Sequence, residues 1–249
     1  MELVKTESFE LAVYSKGNKN SSKIAIVIPG RLDTKDYIHM TSLVDRLAEE
    51  GYHALSFDPP GTWESPGNIS IYTTTNYIKA VDELIEYFGN KPTVLAGHSR
   101  GGTIAMLAGS KNPNVSHIVA IFSNVGPASP LGKDAKKLGY KESFRDLSPG
   151  TSPTEEKKVF KLPFSYFEDG QQYNALPALK TCGKPKLFFC GTDDVMAEPG
   201  DVEIAYHASS EPKEIHEVKS EHDYRYSPEA IKEVNETIEK FLVRFPREN

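Results

Sequence analysis

One segment of the chain has residue types and spacing that could do chemistry: Thr93-Val94-Leu95-Ala96-Gly97-His98-Ser99-Arg100-Gly101-Gly102. A short apolar run enters Gly-x-Ser-x-Gly, and a helical stretch rich in small residues leaves it. A serine on so sharp a turn sits in strained backbone, so the residues two positions either side must be small. Gly97 and Gly101 meet that need. The turn lifts the Ser99 hydroxyl clear of the strand and points the next helix N-terminus at it. The backbone N–H of Arg100 then faces any negative charge that develops there. This is the setting of a nucleophilic serine. A serine hydroxyl is too weak a nucleophile at neutral pH without a base. His98, its sequence neighbour, points elsewhere from such a turn and is read as structural.

The elements that must position this turn alternate along the chain. Phe9–Tyr14 alternates like an exposed antiparallel strand, and Lys23–Ile28 reads as a buried strand ending at Pro29-Gly30. Tyr37–Glu50 fits a helix with Leu43, Val44 and Leu47 on one face and Gly51 as its stop. His53–Phe57 is the next strand; Tyr77, Val81, Leu84, Ile85 and Phe88 then share a helical face. Thr93–Ala96 is a strand, Gly101–Ala108 a helix and Val115–Phe122 a strand. After a break the alternation resumes with the strand Lys186–Cys190, a helix near Val202–Ala208 and the strand Lys213–Val218. A closing helix begins at Ser227-Pro228 and buries Ile231, Val234, Ile238, Phe241, Leu242 and Phe245. Strands alternating with helices predict an α/β fold with a mostly parallel sheet flanked by helices. The break spans 126–181, rich in Pro, Gly, Lys and Ser, with aromatics at Phe160, Phe164, Tyr166, Phe167 and Tyr173. It is expected to be a small lid with one or two helices, inserted into a core made of 1–125 and 182–249.

At this point the sequence resembles the α/β-hydrolase superfamily over nearly its whole length. The resemblance rests on Gly-x-Ser-x-Gly between strand and helix. It extends to Pro29-Gly30-Arg31, in the place of the family's His-Gly-x turn, and to Asp58-Pro59-Pro60-Gly61 followed by Ser65, similar to the family's Asp-x-x-Gly loop. Pro29 stands where the family usually has His. That His is not a proton-transfer residue, so the change bears on loop packing rather than chemistry.

The family order is Ser, then Asp or Glu, then His. Four histidines follow Ser99: His117, His207, His216 and His222. His117 and His216 lie inside predicted strands and His207 on a predicted helix. His222 sits just past the last strand, at the carboxyl edge where open α/β sheets carry their sites, and matches the family's terminal histidine loop. Gly191-Thr192-Asp193-Asp194 is similar to the family's Gly-x-x-Asp turn, which selects Asp194 as the acid, with Asp193 as its rival. The resemblance implies a serine hydrolase. His222 takes the Ser99 proton, the backbone N–H groups of Arg31 and Arg100 hold the oxyanion, and water releases the acid.

The substrate is less legible. Carboxylic esters of small to medium acyl groups are the main reading. Thioester, lactone, peptide and carbon–carbon hydrolysis use the same triad, and a non-catalytic ligand-binding protein of this fold is the alternative of another class. Trp63 either packs its loop or lines the acyl pocket. Phe164 and Phe167 line that pocket or form the lid's own core. The Arg31 and Arg100 guanidinium groups are either solvated or attract an anionic substrate.

The 249 residues carry a net charge of −6 without a strongly basic segment, which speaks against nucleic acid as a partner. No apolar run reaches the roughly 20 residues that span a bilayer, and the start MELVKTESFELAVYS does not read as a signal peptide. No metal-ligand cluster or phosphate-binding loop is visible, so no metal or cofactor is expected. The cysteines, Cys182 and Cys190, are read as free thiols in a reducing cytoplasm.

Overall fold

Eight strands form one sheet in the order β1-β2-β4-β3-β5-β6-β9-β10. The computed structural model describes residues 2–128, 130 and 137–246; residues 129 and 131–136 of the expected insertion lie outside the described residues. The strands are β1 (Glu2–Lys5), β2 (Glu10–Lys16), β3 (Ile24–Ile28), β4 (His53–Phe57), β5 (Thr93–His98), β6 (Val115–Ile121), β9 (Lys186–Gly191) and β10 (Lys213–Val218). β1 and β2 pair antiparallel, as do β2 and β4, and every other pairing in this sheet is parallel.

The inner parallel strands are largely apolar because helices cover both sheet faces, whereas the edge strand β10, Lys-Glu-Ile-His-Glu-Val, buries only Val218 fully. β3 shows the logic. Ile24, Ile26 and Ile28 enter one core cluster, while Ala25 and Val27 enter the other. On the second face lie α1 (Ile38–Glu49) and α7 (Pro228–Arg244), which contribute Leu43, Val44, Leu47, Val234, Ile238 and Phe241. On the first lie α2 (Thr74–Tyr87), α3 (Arg100–Lys111) and α6 (Pro199–Ala208). Helix ends follow local signals. Gly51, at φ 82°, follows α1, and the Ser227 hydroxyl accepts from Ala230 N–H to cap α7.

β2 departs from its expected exposure: Leu11, Ala12 and Val13 are buried. The reason is its position. β1 covers its outer edge, and the Ala12 N–H donates to Ser65 Oγ at 2.9 Å. The stretch 126–181 contains an antiparallel ribbon, β7 (Tyr140–Asp146) with β8 (Lys157–Pro163), and two short helices, α4 (Phe164–Gly170) and α5 (Leu176–Leu179). The helices were expected; the ribbon was not. Its buried side chains Phe160 and Leu162, with Tyr166 and Phe167 of α4, join the same cluster as α2 and α3. Tyr166 stacks on Tyr72 at 5.0 Å.

Polar ties complete the attachment. Asp146, buried, accepts hydrogen bonds from Lys157, the Thr154 N–H, the Arg225 guanidinium and the Tyr226 hydroxyl. Burial pushes its carboxyl up. The hydrogen bonds from Lys157, Tyr226, Thr154 and Arg225 outweigh that and hold it well below its ordinary range. Arg225 also lies 4.4 Å from the Tyr37 ring centroid. The ribbon is thereby fastened to the segment directly after His222.

Candidate active site

Ser99 follows β5 with φ 52° and ψ −120°, a strained conformation for a residue with a side chain. Its surroundings enforce this. A Cβ on Gly97 would overlap the Gly101 carbonyl, a Cβ on Gly101 would overlap the Ile28 carbonyl oxygen, and one on Gly102 would overlap the Ser123 hydroxyl. The Ser99 N–H donates to the Ile121 carbonyl at 2.8 Å, tying the turn to β6. The three glycines therefore let α3 pack directly on β5 and β3 while the serine is lifted out.

His222 lies past β10 with both ring nitrogens engaged. Nε2 is 2.8 Å from Ser99 Oγ, and Nδ1 is 2.8 Å from Asp194 Oδ2. Asp194 is buried, and its other oxygen accepts the Met196 and Ala197 N–H groups at 2.7 and 2.9 Å. Burial raises its carboxyl; the His222 hydrogen bond and the two backbone donors outweigh this and lower it, so it is an anion. Asp193 is exposed and has no bond to His222. The turn brings Asp194 to the histidine, and its rival faces outward.

A second buried group lies beneath the first. His98 Nε2 is 3.0 Å from the His222 carbonyl oxygen; a carbonyl only accepts, so Nε2 carries a proton. His98 Nδ1 faces Asp33 Oδ2 at 3.4 Å, and Arg145 Nε lies 3.5 Å from Asp33 Oδ1. Burial would raise Asp33; contact with His98 and the Arg145 charge prevail and hold it below the usual carboxylate range. Burial, with His98 beside it, pushes the His39 imidazole well below its ordinary value, so that ring is neutral. Asp33, His39 and His98 could each offer a ligand atom to a metal ion, all within 4.8 Å of one another. Arg145 already supplies a cation to the same carboxylate.

Above Ser99 opens a cavity of about 390 Å³. Arg31, Arg100 and Arg145 line it, with Tyr166, Phe167 and Met196 as apolar wall. Of the expected pocket residues, Phe167 lines this cavity; Trp63 and Phe164 are not among its lining residues. Trp63 is held as packing instead. Its indole N–H donates to the Leu32 carbonyl at 2.9 Å, and its ring meets Tyr37 and Phe160 edge-on. Phe164 is partly buried against the larger core cluster. Sequence reasoning missed Asp33 and Arg145. Asp33 had a weak signal, two residues past Arg31 in a loop expected to face the serine. Arg145 had none, since it reads as one charge in a charged stretch.

Strand order, elbow and histidine loop together define the class. Residues 26–145 match the family described as alpha/beta hydrolase fold, and the chain has the α/β-hydrolase fold. Among individual proteins, it is 24% identical over 163 residues to mouse palmitoyl-protein thioesterase ABHD10, mitochondrial. That match covers 63% of this chain and 54% of the relative, so the chain spans about half the length of that protein. The solved structure of mouse alpha/beta hydrolase domain-containing protein 10 superposes with a TM-score of 0.76 at 19% identity, covering 98% of each chain. Est1E from Butyrivibrio proteoclasticus with ferulic acid bound gives 0.78 at 18%, covering 98% of this chain and 99% of its own. At such identities these structures speak for the fold.

Proposed function

We propose that the protein is a serine hydrolase that cleaves carboxylic esters of small to medium acyl groups through an acyl-enzyme on Ser99. The observation that carries this reading is His222, whose two ring nitrogens each lie 2.8 Å from a partner, Ser99 Oγ on one side and Asp194 Oδ2 on the other. In the proposed cycle His222 takes the Ser99 proton as Oγ attacks the acyl carbon. Asp194 fixes the imidazole tautomer and stabilises its charged form. The backbone N–H groups of Arg31 and Arg100 receive the oxyanion. His222 then protonates the departing alcohol and activates the water that releases the acid. The cavity volume suits a small ligand rather than a long chain. The stretch 126–181 acts as the lid: Phe167 and Tyr166 form part of the cavity wall, so the insertion shapes what enters.

Thioester hydrolysis is a second reading, favoured by one finding: the mouse relative is named a palmitoyl-protein thioesterase. The chemistry at Ser99 would be the same, with a thiol as leaving group. A fluorophosphonate probe tests the shared core. It should label the protein at Ser99 and leave folded Ser99→Ala unlabelled. Labelling that survives in Ser99→Ala sinks the assignment. Paired acyl esters and thioesters of one acyl group then separate the two substrates by kcat/KM.

A further inference from the structure

The protein carries a net charge of −6, yet the cavity over Ser99 is walled by four cations: Arg31, Arg100, Lys141 and Arg145. The acids of the same wall are already committed. Asp33 faces His98 and Arg145, and Asp223 lies 3.6 Å from Arg225. Asp194, directly behind the wall, holds His222. Among the described residues no carboxylate lies within 4.0 Å of a side-chain nitrogen of Arg31, Arg100 or Lys141.

Two of the guanidinium groups are also held in place. Arg100 donates to the Thr74 hydroxyl and packs against Gly170 of α4. Arg145 donates twice to the Arg31 carbonyl, at 3.0 and 2.6 Å. The Arg31 Nε is buried without a hydrogen-bond partner. Solvated surface arginines swing freely, and water and salt screen their charge. Here neighbouring like charges are fixed around a half-enclosed cavity, which focuses positive potential on it. Fixed guanidinium groups suit carboxylates and phosphates, which they bind through paired N–H donors.

We propose that the substrate carries a second group, an oxyanion, which Arg100 and its neighbours bind beside the scissile acyl bond. This deepens the serine-hydrolase reading and rests on it for the chemical step. The oxyanion is a carboxylate at the far end of the acyl group or a phosphate on the leaving group; the shared chemistry is recognition by guanidinium.

The test compares matched pairs. One pair is a neutral p-nitrophenyl ester against the ester of equal chain length ending in a carboxylate. The other is an acyl-pantetheine thioester against its phosphorylated form. The anionic member of at least one pair should be favoured by about tenfold or more in kcat/KM, mainly through KM. The preference should shrink as ionic strength rises. Lys141→Gln should lower the ratio of anionic to neutral kcat/KM. Arg100→Gln should collapse the ratio; the ratio is the readout there because the Arg100 backbone belongs to the proposed oxyanion hole. Neutral members equal to or better than anionic ones in both pairs would overturn the proposal while leaving the serine chemistry standing. Binding separates the two in the other direction. In calorimetry on Ser99→Ala with the corresponding amides, selective uptake of the anionic amide upholds the subsite even where no ester is turned over. Equal or absent uptake of both overturns it.

Discussion

The elbow around Ser99 and the stretch 126–181 are held by opposite means. At the elbow, backbone packs on backbone: Gly97, Gly101 and Gly102 leave no room for a single methyl group, and the serine takes a strained conformation in consequence. The inserted stretch shares some backbone bonds with the core, such as Ile38 N–H to the Pro149 carbonyl, but most of its docking is through side chains. Asp146 gathers Lys157, Arg225 and Tyr226, Arg145 reaches the Arg31 carbonyl, and Phe160 meets Trp63. The first kind of fastening fixes atoms to a fraction of an ångström and tolerates no sequence change. The second fixes a surface and can be retuned one residue at a time. The proposed function translates this difference into a division of labour to be tested, with reaction rate assigned to the elbow and substrate preference to the insertion.

Substitutions on each side test that division. Ser99→Ala should have the largest effect, a kcat loss on the order of 10⁶-fold, with circular dichroism unchanged; a few-fold loss in folded protein would remove the elbow from the chemistry. Asp194→Asn should follow, with a loss on the order of 10⁴-fold, because Asn keeps the shape but not the charge that orients His222. Asp193→Asn should stay within a few-fold of the parent, and a reversed pair would shift the acid by one residue.

Asp146→Asn should act on stability instead. It removes the nearer of the two carboxylates beside the buried Arg225, leaving Asp223 at 3.6 Å. The loss should therefore stay below about 3–5 kcal/mol, the cost of a fully broken buried pair, read as a fall in denaturation midpoint. Asp146 is depressed in the folded protein from an ordinary value of 3.8. Its stabilising contribution is therefore complete above that value and lost as pH falls below it. The gap between parent and Asp146→Asn should be constant above about pH 5 and close towards acid. A gap that widens in acid would refute the ion-pair account. Phe167→Ala should have the smallest effect, a several-fold change in relative kcat/KM between short and long acyl chains. Phe164→Ala, outside the cavity wall, should leave that profile alone. Equal effects of the two would reduce the aromatic wall to core packing.

Where backbone pattern alone decides, the sequence was readable. β4 and β10 lie on the expected residues because a strand buried on both faces, or bounded by clear turns, announces itself locally. Ser99, Asp194 and His222 stand at turns after β5, β9 and β10, and turn chemistry is also local. β1 was missed because Glu-Leu-Val-Lys is a short edge strand with one buried residue. The β7–β8 ribbon was missed because Tyr-Lys-Glu-Ser-Phe-Arg-Asp and Lys-Lys-Val-Phe-Lys-Leu-Pro look solvated; only Asp146, Phe160 and Leu162 are buried in it. Asp33 and Arg145 meet only after the ribbon docks, 112 positions apart. No local pattern encodes such a meeting.

Trp63 is the chain's only tryptophan, and it stands where the ribbon touches the core. One face of its surroundings is Tyr37 ahead of α1; another is Phe160 of β8. Its indole N–H is held by the Leu32 carbonyl, one residue from Arg31. The molecule thus carries a single optical gauge at the seam between its two kinds of fastening. Emission from that one ring reports on the packing at the seam. Emission that shifts on adding an anionic substrate analogue, in a protein whose far-ultraviolet dichroism stays still, would be the seam moving while the sheet does not.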